Sequence, residues 1–165
     1  TEPFLAIALI VGSLFLAASS GAIFKPGVWY DNLNKPSWNP PDFLFPLAWA
    51  VLYIMIGVAT FMAWRDAPAG GGYAAMTAFG VQVVFNGAWS AIFFGMKKMG
   101  LALIEIVGLW LSIVAMIVTY YPINDLAAYL LLPYLAWVSF AFVLNWKVRS
   151  LNPDGGFPIP AEQTQ

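Results

Sequence analysis

Neither cysteine nor histidine occurs among the 165 residues. Their absence removes disulfides, thiolate nucleophiles, Cys/His zinc sites, Ser-His-Asp triads and the usual histidine-ligated haem. No metal site or resident cofactor is therefore expected. Charge is scarce as well: 9% of the residues are Asp, Glu, Lys or Arg and the net charge is −1, against about 25% charged residues in soluble domains. No segment carries the basic cluster that neutralises phosphates, so nucleic acid is excluded as a partner. What remains is apolar, 61% of the chain, against roughly 45–50% in soluble domains, and this excludes a water-soluble domain. Any chemistry must rest on aromatic rings, amides, hydroxyls and carboxylates. The eight Trp, seven Tyr and thirteen Phe exceed what insertion into lipid requires, because Leu, Ile and Val serve that purpose.

A helix needs about 20 mostly apolar residues to cross a ~30 Å hydrocarbon core, so the charges punctuate the chain. Nothing ionisable lies between Glu2 and Lys25, Asp42 and Arg65, Asp66 and Lys97, or Asp125 and Lys147, and a further span carries only Glu105. These intervals predict helices near 4–24, 44–64, 74–95, 100–121 and 126–147, an all-α membrane protein built as a bundle of five transmembrane helices in a single domain. Residues 4–24 lack the basic flank of a signal peptide and exceed its usual apolar length, so they read as an uncleaved helix. Pro26, Pro36, Pro40 and Pro41 bar a regular helix from residues 25–43, which predicts a structured long first loop. Its Tyr30–Pro41 part is expected to close over a pocket, with Trp38 turned inward. Residues 148–165 form the tail after the last helix, and its part from Asn152 to Gln165 reads as frayed; Pro133 is expected to kink the last helix.

An odd number of spans puts Lys25, Lys35, Lys97, Lys98, Lys147 and Arg149 on one side and Arg65 alone on the other. The positive-inside rule then places the first loop and the C-terminus in the cytoplasm. Small residues four apart, Ser13, Ala17 and Gly21 and then Gly108 and Ser112, mark close helix approach within the bundle, and the same geometry also serves a homodimer seam. Gln82, Asn86 and Ser90 share one stripe at four-residue spacing. Amides are left unsatisfied in hydrocarbon, so the stripe must face protein or a cavity. Either inter-helix hydrogen bonding or orientation of a ligand explains it, with Asn86 the candidate for the second. Trp49 and Tyr53 lie one turn apart, and Tyr134, Trp137, Ala141 and Asn145 follow helical spacing. Trp64, Trp146 and Trp29 read as interfacial anchors, whereas Trp49 and Trp137 sit deeper. Glu105 lies near the end that carries Lys97 and Lys98 and is expected to snorkel toward them.

Trp29-Tyr30, Lys35-Pro36-Ser37-Trp38-Asn39-Pro40-Pro41, the Trp49…Leu52-Tyr53 pair, Gln82…Asn86…Trp89…Phe93-Phe94-Gly95 and Pro133-Tyr134-Leu135-Ala136-Trp137…Leu144-Asn145 together resemble the translocator protein family, also called tryptophan-rich sensory proteins or peripheral-type benzodiazepine receptors (TspO/MBR). The likeness runs from about Phe24 to Asn145 with order and spacing kept. It implies a five-helix receptor- or transporter-like protein that binds porphyrins such as protoporphyrin IX, sterols and benzodiazepine-type ligands in a pocket closed by the first loop. By matching position, Trp49, Asn86 and Trp137 would line that pocket, with Tyr30, Tyr53, Ser90 and Ala141 beside them. It also implies, for bacterial members, degradation of protoporphyrin in light through Trp49 and Trp137, the alternative to a pure binder; a structural scaffold is the third class. The sterol motif of animal members departs here, because the run Leu144-Asn145-Trp146-Lys147-Val148-Arg149 has Trp where that motif has Tyr. Membrane lipid and a hydrophobic small molecule are the expected partners. A helical bundle belongs physically to an inner membrane, outer-membrane proteins being mostly β-barrels, although members of this family have been placed in outer membranes too.

Overall fold

The computed structural model describes residues 2–157. The elements are α1 (Glu2–Ile23), α2 (Val28–Asp31), α3 (Leu44–Asp66), α4 (Tyr73–Ser90) with a π-helical turn (Ala91–Gly95), α5 (Met99–Tyr120), α6 (Asp125–Leu130) and α7 (Leu132–Leu151). Five units are long and apolar enough to cross a membrane: α1, α3, α4 with its π turn, α5, and α6 with α7. The expected five-helix bundle is therefore present, with its helix ends within a few residues of the charge punctuation.

The helices close a ring in the order α1, α3, α6/α7, α5, α4. Small residues set the approach of its walls. Ala17 of α1 backs onto Gly87 of α4, where a Cβ would stand 3.5 Å from the Ala17 Cα, and the Ser20 hydroxyl donates to the Gly87 carbonyl. On the other wall of α4, a Cβ at Gly108 of α5 would stand 2.5 Å from the Phe85 ring. Both small-residue rows are thus used inside the chain, as lipid-immersed helices require when hydrophobicity does not draw them together.

Three local features depart from simple spans. The last span breaks at Leu131, and Pro133 takes the first turn of α7, a position where its missing N–H is not needed. The end of α4 widens, with the Met96 N–H donating to the Ala91 carbonyl five residues earlier. Such π turns occur mostly at functional sites, and this one presents Phe93 and Phe94 edge to face at 5.0 Å. The last helix continues past its expected end to Leu151, and residues 152–157, expected to fray, instead pack onto the first loop; residues 158–165 of that expectation lie outside the described residues.

Candidate functional site

Along the ring, α3 lies against α6 but parts from α7 toward the end that carries the first loop. The gap is filled by aromatic rings. Trp49 of α3 and Trp137 of α7 meet edge to face, their centroids 6.5 Å apart at 87°. Trp49 also lies 5.7 Å from Tyr53 and 6.2 Å from Tyr134. Phe45 meets Trp137 edge-on at 5.9 Å, and Phe140 lies 5.6 Å from Trp137. Trp38 of the first loop reaches in to Phe140 at 5.9 Å while remaining 45% exposed. Edge-to-face pairs add about 0.5–1.5 kcal/mol each beyond burial, yet such contacts are adjustable, since no ring is locked by a covalent or multidentate bond.

Beneath these rings lies a hydrogen-bonded floor. The Tyr53 hydroxyl donates to Asn86 Oδ1 at 2.7 Å, the Asn86 amide donates to the Tyr134 hydroxyl at 2.6 Å, and that hydroxyl donates to Gln82 Oε1 at 2.8 Å. Three helices are tied at one level, each bond worth roughly 0.6–2 kcal/mol in a membrane interior. Both readings of the amide stripe therefore bear on Asn86: one N–H and one lone pair are engaged between helices, and one of each is left. Gln82 keeps a buried, unpartnered Nε2.

Of the residues expected at a site, Trp49, Tyr53, Asn86 and Trp137 come together, Trp38 joins through Phe140, and Ala141 packs at half exposure against the same core. Two sit elsewhere. Ser90 looks toward α1, its hydroxyl 3.8 Å from where a Cβ on Gly21 would be. Tyr30 stands edge-on to Phe94 at 5.4 Å, with the Lys35 ammonium 4.5 Å over its ring. Burial, and then the Asp42 carboxylate, push the Tyr30 phenol above its ordinary range, so it stays a hydrogen-bond donor.

Two expectations are corrected. Trp29 is no interfacial anchor: it is 3% exposed, stacks on Phe157 and donates its indole N–H to the Gly155 carbonyl at 2.8 Å. Asn152 completes this strap, accepting from the Asn34 N–H at 2.9 Å and donating to the Asn34 carbonyl at 2.8 Å. Glu105 does not snorkel: it is 8% exposed and both carboxylate oxygens are buried without a partner. Phe45, Phe140 and the hydroxyl role of Tyr134 were missed. Helical spacing from Trp137 to Tyr134 and Phe140 carried the signal for two of them; Phe45, one turn before Trp49, carried the third.

Comparison with known proteins agrees with this arrangement. The sequence model of the TspO/MBR family matches residues 4–151. A tryptophan-rich sensory protein of Cereibacter sphaeroides is 42% identical over 82% of this chain and 84% of its own. Tryptophan-rich protein TspO of Chlorobaculum tepidum is 40% identical over 90% of this chain and 97% of its own. The human translocator protein is 38% identical over 80% of each chain.

Proposed function

The chain belongs to the TspO/MBR family and is a multi-pass integral membrane protein; from that premise we propose that it is a receptor for a flat hydrophobic ligand, a porphyrin such as protoporphyrin IX, held between Trp49 and Trp137. The observation that carries this reading is the meeting of those two rings from different helices at the gap between α3 and α7. Parting them opens a slot with an aromatic wall on each side, the Tyr53–Asn86–Tyr134 floor below and Trp38 above. A flat conjugated ligand gains area burial plus about 0.5–1.5 kcal/mol per well-placed ring contact, and the free N–H of Asn86 suits a carboxylate or other polar edge. Tyr30 acts at a distance, through the loop that closes the slot. The slot opens toward the cytoplasm, an orientation supported by the Lys and Arg residues gathered at that end.

Quenching of tryptophan fluorescence by protoporphyrin IX in nanodiscs tests this. Trp49→Leu and Trp137→Leu are each expected to weaken binding about 3- to 30-fold, at 1.4 kcal/mol per decade. Wild-type affinity in both variants would place the ligand elsewhere. The same two rings are oxidisable and lie against the bound tetrapyrrole in this reading, which favours light-dependent degradation as the second activity. Loss of porphyrin absorbance under illumination, beyond a free-porphyrin control and absent in Trp49→Leu, is its signature.

A further inference from the structure

Two clefts open at the end of the bundle that bears the first loop, on either side of Lys97. The smaller, about 220 Å³, runs between Lys25, Val28, Trp29, Phe94 and Lys97. The larger, about 370 Å³, runs between Lys97, Met99, Trp146, Arg149 and Pro153. Among the described residues no acidic side chain lines either cleft, and the ion pair is Arg65–Asp66 at the opposite end. Lys25, Lys97 and Arg149 thus have, among the described residues, no carboxylate in ion-pair reach.

Lys97 is the singular residue. Its φ of 57° lies in the left-handed region, and no other non-glycine residue among those described has positive φ. Glycine adopts this backbone without penalty, whereas a lysine there is disfavoured; the conformation is the left-handed cap that ends the π turn, held by the Lys98 N–H donating to the Ile92 carbonyl at 3.1 Å. This cap puts Lys97 on the ridge shared by the two clefts, since it lines both. Arg149 is brought to the same place because Gly100 has no side chain: a Cβ there would stand 3.1 Å from its Nε. In the larger cleft the chemistry is that of a phosphate seat, with the Arg149 guanidinium side chain and Lys97 lining one space. Met99, Trp146 and Pro153 give the larger cleft an apolar side that suits the ester and acyl stem of a lipid, while Ser150 and Asn152 add polar groups to its lining. Trp146, 53% exposed, marks the headgroup level.

We propose that Lys97 and Arg149 bind the phosphate of one anionic phospholipid in the larger cleft, with its glycerol ester region lying along Met99 and Trp146. The site is separate from the Trp49–Trp137 slot and goes beyond the receptor reading.

Native mass spectrometry of the full chain released from detergent, with phosphatidylglycerol or phosphatidylcholine added, reads it directly. The wild type is expected to retain one phosphatidylglycerol with at least a tenfold preference. Lys97→Gly is expected to reduce that preference to less than twofold while keeping or raising the melting temperature, since it relieves the backbone, and Lys97→Arg is expected to restore it. Lys147→Gln, at the same end but lining neither cleft, is expected to leave the preference unchanged. An equal loss in Lys147→Gln means diffuse charge attraction and overturns the site. Displacement of the lipid by millimolar inorganic phosphate overturns the lipid assignment in favour of a free anion. Should Lys97→Gly unfold, Arg149→Gln gives the same reading, with an expected loss of about threefold and overturn if the preference is unchanged. Protoporphyrin IX affinity is expected to be the same in all variants.

Discussion

The two ends of the bundle are built on opposite principles. At the end formed by the 67–72 and 121–124 turns, α3 and α6 pack through small side chains: Ala59, Ala63 and Ala127 are 0% exposed and Ala128 1%. Thr60 and Tyr120 share a buried hydrogen bond of 2.9 Å. Asn124 caps α6 and also donates to Asp66 at 2.7 Å, while Arg65 pairs with the same carboxylate. At the loop end, α3 and α7 are kept apart by half-buried rings, and the loop is tied down by residues more than a hundred positions away. Short side chains at near-crystalline density leave no room for adjustment, whereas rings touching at their edges can slide. Resistance to unfolding therefore concentrates at one end and adaptability at the other, the division expected when a binding region is drawn from the less stable part of a fold.

The largest effect should come from overfilling the tight end. Ala128→Leu adds volume at a position with no free space, which costs about 1–3 kcal/mol in a well-packed core. Thermal unfolding in nanodiscs is expected to show a clear drop in melting temperature, with porphyrin affinity of the folded fraction within twofold of wild type. Trp137→Leu should do the reverse, with more loss of affinity and less of stability. If Ala128→Leu weakens porphyrin binding as much as Trp137→Leu, the two ends act as one unit and the division fails.

The sequence made one half of this contrast legible. Charges had to lie outside the hydrocarbon, so the ends of α1, α3 and α5 could be read within three residues, and the ring-bearing faces of α3 and α7 followed from helical spacing. That Trp49 and Trp137 would meet was not legible from either helix alone, since periodicity assigns a face without naming its neighbour. The burial of Trp29 and the packing of residues 152–157 depend on pairings such as Trp29 with Gly155, and no local pattern encodes a partner that far along the chain. Glu105 was misjudged for the same reason: its depth along α5 was readable, but the side it faces was set by α4 and α7. The Gly155-Gly156 pair did carry a usable sign of close backbone approach. Gly156 has φ of 81°, and a Cβ there would stand 2.7 Å from the Trp29 indole nitrogen.

The strap sharpens the contrast at intermediate size. Asn152→Ala removes both hydrogen bonds to the Asn34 backbone. At roughly 0.5–1.5 kcal/mol net for each bond, the local opening free energy should fall by about 1–3 kcal/mol, or about 5- to 150-fold in exchange rate. Amide hydrogen exchange is expected to quicken by that factor at Asn34 and Leu33 while staying unchanged in α5. Uniform protection across the first loop in the variant would mean that Trp38 and Phe45 hold the whole loop, leaving the strap without a role in closing the slot.

The smallest effect belongs to a tryptophan at the tight end. Trp64 is half-buried near the end of α3, directly after Ala63, and stacks on Phe61 at 6.0 Å. Trp64→Leu loses that ring contact, about 0.5–1.5 kcal/mol, but leucine remains at home in lipid, so part of the loss is recovered from the surroundings. The expected drop in stability is under about 1 kcal/mol, smaller than for Ala128→Leu because an added leucine at residue 64 meets acyl chains and not a neighbouring helix. Porphyrin affinity should match wild type within twofold. The same chemical change at Trp137 is expected to cost most of its effect in affinity, so the pair isolates position from residue type. A Trp64→Leu variant with affinity reduced as far as Trp137→Leu would show that porphyrin quenching reports on indoles throughout the bundle, and the comparison between its ends would then have to rest on stability alone.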